Sequence, residues 1–308
     1  MWVRKVVALG LIVGVAVLQS LAPVQAATFQ PPMDKSEWLV DTSIFECRMT
    51  HAIPFYGDAI FIRRAGESPL FNLTSKTPRL GTGQASLVAE PPLWRPGVKA
   101  RHLAMVPVTQ GPGPLELGPR LTEQMLAELY AGMRVVLTRK PWYGADESVR
   151  VGMSSVNFRG AYRQYLDCLA SLLPVNFDQI QRTAIYFPSG HDMLKPSEMQ
   201  KLDNIITYVN ADPTVEAFFI DGHTDSAGER AENLDLSKRR AEMVSEYLRL
   251  KGVPEDRITT RWHGERYPVE ANLTRQGRAQ NRRVTIRLEK ANTPKVPALA
   301  SKAVASGS

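Results

Sequence analysis

Near Val175 the hydrophobic pattern of this 308-residue chain changes its period. Upstream, β-branched or apolar runs such as Asp58 to Arg64, Met133 to Thr138 and Ser148 to Phe158 are separated by turn-forming stretches, among them Pro91 to Gly97 and Gly111 to Pro114. Downstream, strand-like runs alternate with stretches whose apolar residues recur every three or four positions. The first pattern suits an antiparallel barrel or sandwich, the second a two-layer α/β arrangement. A chain that holds both is expected to be α+β, with domains over 27–175 and 176–290.

Two helices interrupt the β-rich part, near Leu121 to Gly132 and Gly160 to Leu173. In the second, Ala161, Tyr165, Cys168, Leu169 and Leu172 share one face, so Cys168 is expected to point inward. In the C-terminal part, Thr183 to Phe187 reads as a strand. Pro196 to Asn210 reads as a helix whose stripe of Met199, Leu202, Ile205, Ile206 and Val209 belongs to the core. Val215 to Ile220 is a strand rich enough in Phe and Ile to be buried on both faces. Glu232 to Leu250 is a long amphipathic helix, Ile258 to Trp262 a strand, and Val284, Ile286 and Leu288 alternate with polar residues in a last strand. The order is β-α-β-α-β plus a final strand.

The N-terminus carries Arg4 and Lys5, then an uncharged run from Val6 to Leu18, then a small-residue site ending at Ala26. This is the pattern of a secretory signal, residues 1–26, cut after Ala26 or Ala27. The apolar run of 13 residues is short of the roughly 20 a membrane span needs, although an uncleaved anchor is the competing reading. No cysteine follows it to accept a lipid. Loss of Arg4 and Lys5 lowers the formal charge from +7 to +5. A mildly basic exported protein has no nucleic acid to meet, and the wall polymer with its carboxylates is the acidic partner at hand. Residues 291–308 read as a disordered tail.

Cys47 and Cys168 are the two cysteines, and in an oxidising compartment such a pair is read as one disulfide. It would close a loop of about 120 residues and contribute roughly 4–5 kcal/mol. Two free buried thiols are the alternative. A catalytic role for Cys47 would need a base, and only His51 stands nearby.

The chemistry-bearing residues fall in blocks: Asp221-Gly222-His223-Thr224-Asp225, then Asn233 with Leu236-Ser237-Lys238-Arg239-Arg240-Ala241, then Gly264-Glu265, then Asn281-Arg282-Arg283-Val284. A loop after the Val215 strand puts Thr224 and Asp225 beyond its carboxyl end, the edge where ligands bind in sheets with helical crossovers. Arg240 lies one helical turn beyond Leu236 and can reach back over that loop. Asp225 and Arg240 would form a two-signed cradle for a ligand bearing ammonium and carboxylate groups, with the Arg fork suited to the carboxylate. A simple Asp–Arg ion pair is the other reading. His223 has no metal-binding companions at a recognised spacing, and no nucleophile–base–orienter set is visible, so metal, cofactor and catalytic roles are not expected.

These blocks closely resemble the OmpA/MotB/Pal C-terminal family over about residues 180–290. The resemblance implies an OmpA-like fold and non-catalytic binding of the peptidoglycan stem peptide. Asp225 and Arg240 would hold the zwitterionic end of meso-diaminopimelate, and Thr224, Asn233, Leu236 and Arg283 would line the pocket. The N-terminal part carries a second resemblance. Glu46-Cys47, His51 to Pro54 with Gly57-Asp58-Ala59, Pro91 to Gly97, Ser154-Ser155-Val156 with Phe158, and Asp167-Cys168 with Leu172-Leu173 look like the MotY family of flagellar motor proteins. That likeness implies the same Cys47–Cys168 disulfide. It also implies a place in the periplasm at the basal body, in a ring called the T ring, with a MotX-like partner. There the protein would support sodium- or proton-type stator complexes. Trp94 and Arg95 are candidates for partner binding, or Trp94 plugs the barrel end. A general OmpA-like envelope tether and a wall-modifying enzyme are the competing functional classes.

Overall fold

The computed structural model describes residues 27–92, 94–144 and 147–291. The expected signal, 1–26, and the expected tail beyond Ala291 lie outside them. In chain order the first part contains β1 (Ala27–Phe29), β2 (Leu39–Thr42), β3 (Glu46–Ile53), β4 (Gly57–Arg64), β5 (Leu70–Leu73), β6 (Gly83–Glu90), β7 (Arg101–Val108), β8 (Leu115–Leu117), α1 (Pro119–Tyr130), β9 (Arg134–Arg139), β10 (Val149–Met153) and α2 (Phe158–Ser171). They make two five-stranded sheets, β1-β10-β9-β6-β7 and β2-β3-β4-β5-β8. All pairings are antiparallel except β1 with β10.

The alternation of β3 shows why the sheets face each other. Cys47, Met49, His51 and Ile53 are buried while Glu46, Arg48, Thr50 and Ala52 face out. Their inward residues meet Leu87, Leu137 and Val151 of the other sheet in one core, so the sheets form an open sandwich rather than a closed barrel. The aromatic that fills this core is Trp38, stacked 4.3 Å from His51 and edge-on to Phe158. Trp94 is 53 % exposed and plugs nothing. The Ser148–Phe158 run is a strand only to Met153. Asn157 takes a left-handed φ of 61°, its amide donates to the Ser36 carbonyl, and Phe158 opens α2 instead.

The second part contains α3 (Phe177–Ile180), β11 (Arg182–Tyr186), α4 (Pro196–Ala211), β12 (Val215–Gly222), α5 (Arg230–Leu250), β13 (Ile258–Trp262), α6 (Arg275–Asn281) and β14 (Arg283–Lys290). The sheet order is β11-β14-β12-β13, with β12 and β13 parallel. Helices α4 and α5 pack on the sheet. Phe218, Ile220, Val284, Ile286 and Leu288 meet Leu202, Ile205, Ala241, Val244 and Leu248 in the core. β12 is therefore buried on one face, not two. Its other face carries Phe219, roofed by the guanidinium groups of Arg287 at 4.3 Å and Arg261 at 5.6 Å rather than by another layer. Met199, expected in the core, sits at the rim with 37 % exposure.

A fitted joint connects the two parts. Phe45, from the β2–β3 turn, leaves its own sheet and packs 5.5 Å from Tyr208 of α4. Leu173 N–H donates to the Ile44 carbonyl at 2.9 Å. Asn176 caps α3, and its amide also donates to the Ala65 carbonyl at 3.0 Å and the Glu67 carboxylate at 2.6 Å. Arg64 pairs with Asp178 at 2.7 Å. Beside this joint lies the Cys47–Cys168 disulfide, with both sulfur atoms near the Ser43 carbonyl.

Candidate functional site

The carboxyl ends of β12 and β13 form the edge on which the site is built. Gly222 makes this possible: a Cβ there would come within 2.2 Å of the Ser237 carbonyl oxygen, so only glycine lets α5 lie this close to the strand. Ser237 and Ala241 face the sheet, which turns Leu236 and Arg240 toward the loop after β12.

A cavity of about 460 Å³ opens there, lined by Thr224 and Asp225 of the loop, by Asn233, Leu236 and Arg240 of α5, and by Arg282. Five of the six residues expected at a ligand site are brought together. The sixth, Arg283, is not: it is buried and donates to the Tyr267 carbonyl at 3.2 Å. Its neighbour Arg282, which sequence reasoning missed, takes the place. Arg282 Nη1 donates to Asp225 Oδ2 at 2.9 Å, and its Nε donates to the Phe187 carbonyl at 3.2 Å.

The expected Asp225–Arg240 cradle is thus a triad of charges. Asp225, 5 % exposed, also accepts from the Ala227 N–H at 3.3 Å. Arg240 forms part of the floor yet exposes no surface. Its Nε donates to the His191 carbonyl at 2.8 Å, and its Nη2 to the Pro188 carbonyl at 2.9 Å. It latches the β11–α4 loop to α5, and burial pulls its guanidinium down to about 10, partly offset by the charge of Asp225. It stays cationic at neutral pH. Asn233 donates to Ala227 and Glu265, so it fixes the loop as well as facing the cavity. The Thr224 hydroxyl is buried without a partner. At the mouth stand Glu232, Asp235 and Arg239, so three carboxylates and three guanidinium groups line the cavity. It carries charges of both signs that sum to zero, a match for a zwitterion.

Behind the cavity His223 stacks on His263, whose Nε2 lies 2.9 Å from Asp221, itself paired with Arg261. Burial first, then the charges of Arg283 and His263, push His223 down to about 4. No group of three or more metal-binding side chains is found among the described residues. In the N-terminal sandwich, Arg95 donates to the Ala131 carbonyl at the end of α1, a capping contact, while Trp94 stays exposed beside it.

Comparison with known proteins matches residues 29–174 to the MotY N-terminal domain and residues 186–282 to the OmpA family. The chain is 33 % identical to the sodium-type flagellar protein MotY of Vibrio parahaemolyticus, over 84 % of this chain and 88 % of that one. It is 36 % identical to the peptidoglycan-binding protein ArfA of Mycobacterium tuberculosis over 33 % of this chain and 31 % of that protein. Among solved structures, the C-terminal domain of Helicobacter pylori MotB is similar, with 21 % identity and a TM-score of 0.34, over 36 % of this chain and 86 % of that one.

Proposed function

The chain belongs to the MotY family of flagellar motor proteins, and from that premise we propose that it is a periplasmic, non-enzymatic motor component with two grips. Its OmpA-type domain holds peptidoglycan, and its N-terminal domain docks on the flagellar basal body. In this reading it belongs to a T-ring-type assembly with a MotX-like partner and helps stator complexes assemble or stay around the rotor. The ligand of the cavity is the zwitterionic end of meso-diaminopimelate in the stem peptide. Asp225 and the Thr224 hydroxyl receive the ammonium, Arg282 receives the carboxylate, and Arg240 backs it from the floor. Asn233 and Leu236 flank the aliphatic part, and Arg283 props the loop behind.

One observation carries this reading. The cavity offers balanced charges of both signs, together with a buried Thr224 hydroxyl that has no partner among the described residues. The MotY relative supplies the motor context and the ArfA relative the wall ligand. Among the described residues no helix is long and apolar enough to cross a membrane. The test pairs motility with wall binding. A deletion strain should build intact filaments yet lose or weaken rotation, and Asp225→Asn protein should pellet with purified sacculi at least tenfold more weakly than wild type. Normal swimming of the deletion strain would remove the motor role; undiminished pelleting would remove the assigned pocket.

A further inference from the structure

The end of the N-terminal sandwich farthest from the joint carries features that the fold does not need. The β3–β4 hairpin turns there through Phe55, which adopts a left-handed φ of 62° and is 90 % exposed. A bulky aromatic in that conformation is strained, and its side chain gains nothing from burial to offset the strain. Lys76 N–H donates to the Tyr56 carbonyl at 2.8 Å, and Ser75 N–H to the Pro112 carbonyl at 2.7 Å, so three loops gather at this end. The β9–β10 loop joins them through the Gly81–Lys140 hydrogen bond at 2.9 Å. Between the β5–β6, β7–β8 and β9–β10 loops opens a cavity of about 730 Å³, walled by Pro78, Leu80, Pro114, Pro141 and Trp142. Trp142 is 69 % exposed, held by its indole N–H to the Pro78 carbonyl at 3.0 Å, and Tyr143 stands edge-on beside it. The charged residues among those lining the cavity are Arg139 and Lys140, both basic.

We infer that this end, with Phe55 at the hairpin tip and the proline-walled cavity beside Trp142, is the docking surface for an acidic protein segment that inserts an apolar side chain. Exposed, pre-positioned aromatics beside a pocket are the composition of an interface hot spot, and the basic lining selects an acidic occupant. Trp94 and Arg95 are not among the residues lining this cavity, and Arg95 donates to the Ala131 carbonyl at the end of α1. The inference rests on the reading of the N-terminal domain as the half that docks on the basal body, and it assigns that docking to a different surface.

The test uses full-length protein and purified flagellar basal bodies in co-sedimentation. Phe55→Ala with Trp142→Ala, and separately Lys140→Glu, should each weaken pelleting about tenfold or more, while Trp94→Ala and binding to sacculi stay unchanged. Wild-type pelleting that Phe55→Ala with Trp142→Ala leaves intact would overturn the surface and leave the basal-body reading standing. Failure of the wild type to pellet at all would overturn both. Pelleting of the wild type with phosphatidylglycerol vesicles instead would replace the protein partner by a lipid surface and overturn the inference.

Discussion

Replacing Arg240 by lysine keeps a cation in the floor of the cavity proposed to bind the wall and removes its fork. Arg240 reaches two carbonyls of one loop at once, His191 through Nε and Pro188 through Nη2. A lysine ammonium, a point charge on a shorter stem, lacks the planar fork that spans both carbonyls and is expected to hold one of them. The loss is one hydrogen bond to a charged group plus a stranded acceptor, together about 2–4 kcal/mol. The C-terminal domain's urea midpoint should therefore fall by about 1–2 M, given a slope of about 2 kcal/mol per molar. Sacculus pelleting should weaken alongside it, because the released loop carries Ser189 and Gly190 of the cavity wall. Arg240→Ala should be worse on both counts, so weak binding by that variant alone would not separate recognition from folding. An unchanged Arg240→Lys midpoint, read by circular dichroism, would refute the latch and return Arg240 to a purely ligand-facing role.

Three further outcomes follow from the geometry. His223 is held neutral, with its protonation pushed from 6.5 to about 4 by burial and nearby cations. Its contribution is complete above pH 6.5 and is lost as pH falls toward 4, at up to about 1.4 kcal/mol per pH unit. Unfolding midpoints that stay flat from pH 7 to 5 would count against it. Below that window Asp212 takes over. Burial raises its carboxyl, but bonds from Lys290, Thr214 and Tyr208 hold it down to about 2. Cys47→Ser should cost the N-terminal domain roughly 4–5 kcal/mol and leave the full-length protein's pelleting with sacculi unchanged; two free thiols in non-reducing mass mapping of the wild type would contradict the staple. Gly222→Ala should push α5 off the strand, costing about 2 kcal/mol or more through overpacking and weakening wall binding; a wild-type midpoint would show that the contact with Ser237 gives way freely.

Much of this architecture was legible because burial enforces period. Val284, Ile286 and Leu288 announced β14, and Cys168 announced the inner face of α2. The failures share a cause, which is that neighbours distant in sequence decide them. Phe219 looked like a residue for a second buried face, but arginine stems and charges roof it. The Val–Asn–Phe stretch looked extended, but Asn157 spends its side chain on Ser36 and turns the backbone into α2. Helices α3 and α6, four and seven residues long, are too short to show a helical period. The exchange of Arg282 for Arg283 had a signal that was overlooked. If Val284 and Ile286 face the helices, Arg283 must share the opposite side with Thr285, away from α5.

The placement of the disulfide has a mechanical consequence. A protein held at one end by the wall and at the other through Phe55 is a tether under load, and its reach is set by covalent path rather than by fold. Without the bond, unfolding of the N-terminal domain would release the whole stretch from Phe55 to Asn176, about 400 Å of extended chain. With it, the shortest path runs back eight residues to Cys47, across the sulfur atoms, and on eight residues from Cys168 to Asn176, about 60 Å in all. The cross-link thus caps the give of the strut, so that a pull hard enough to melt the sandwich still leaves the two grips within a short span of each other.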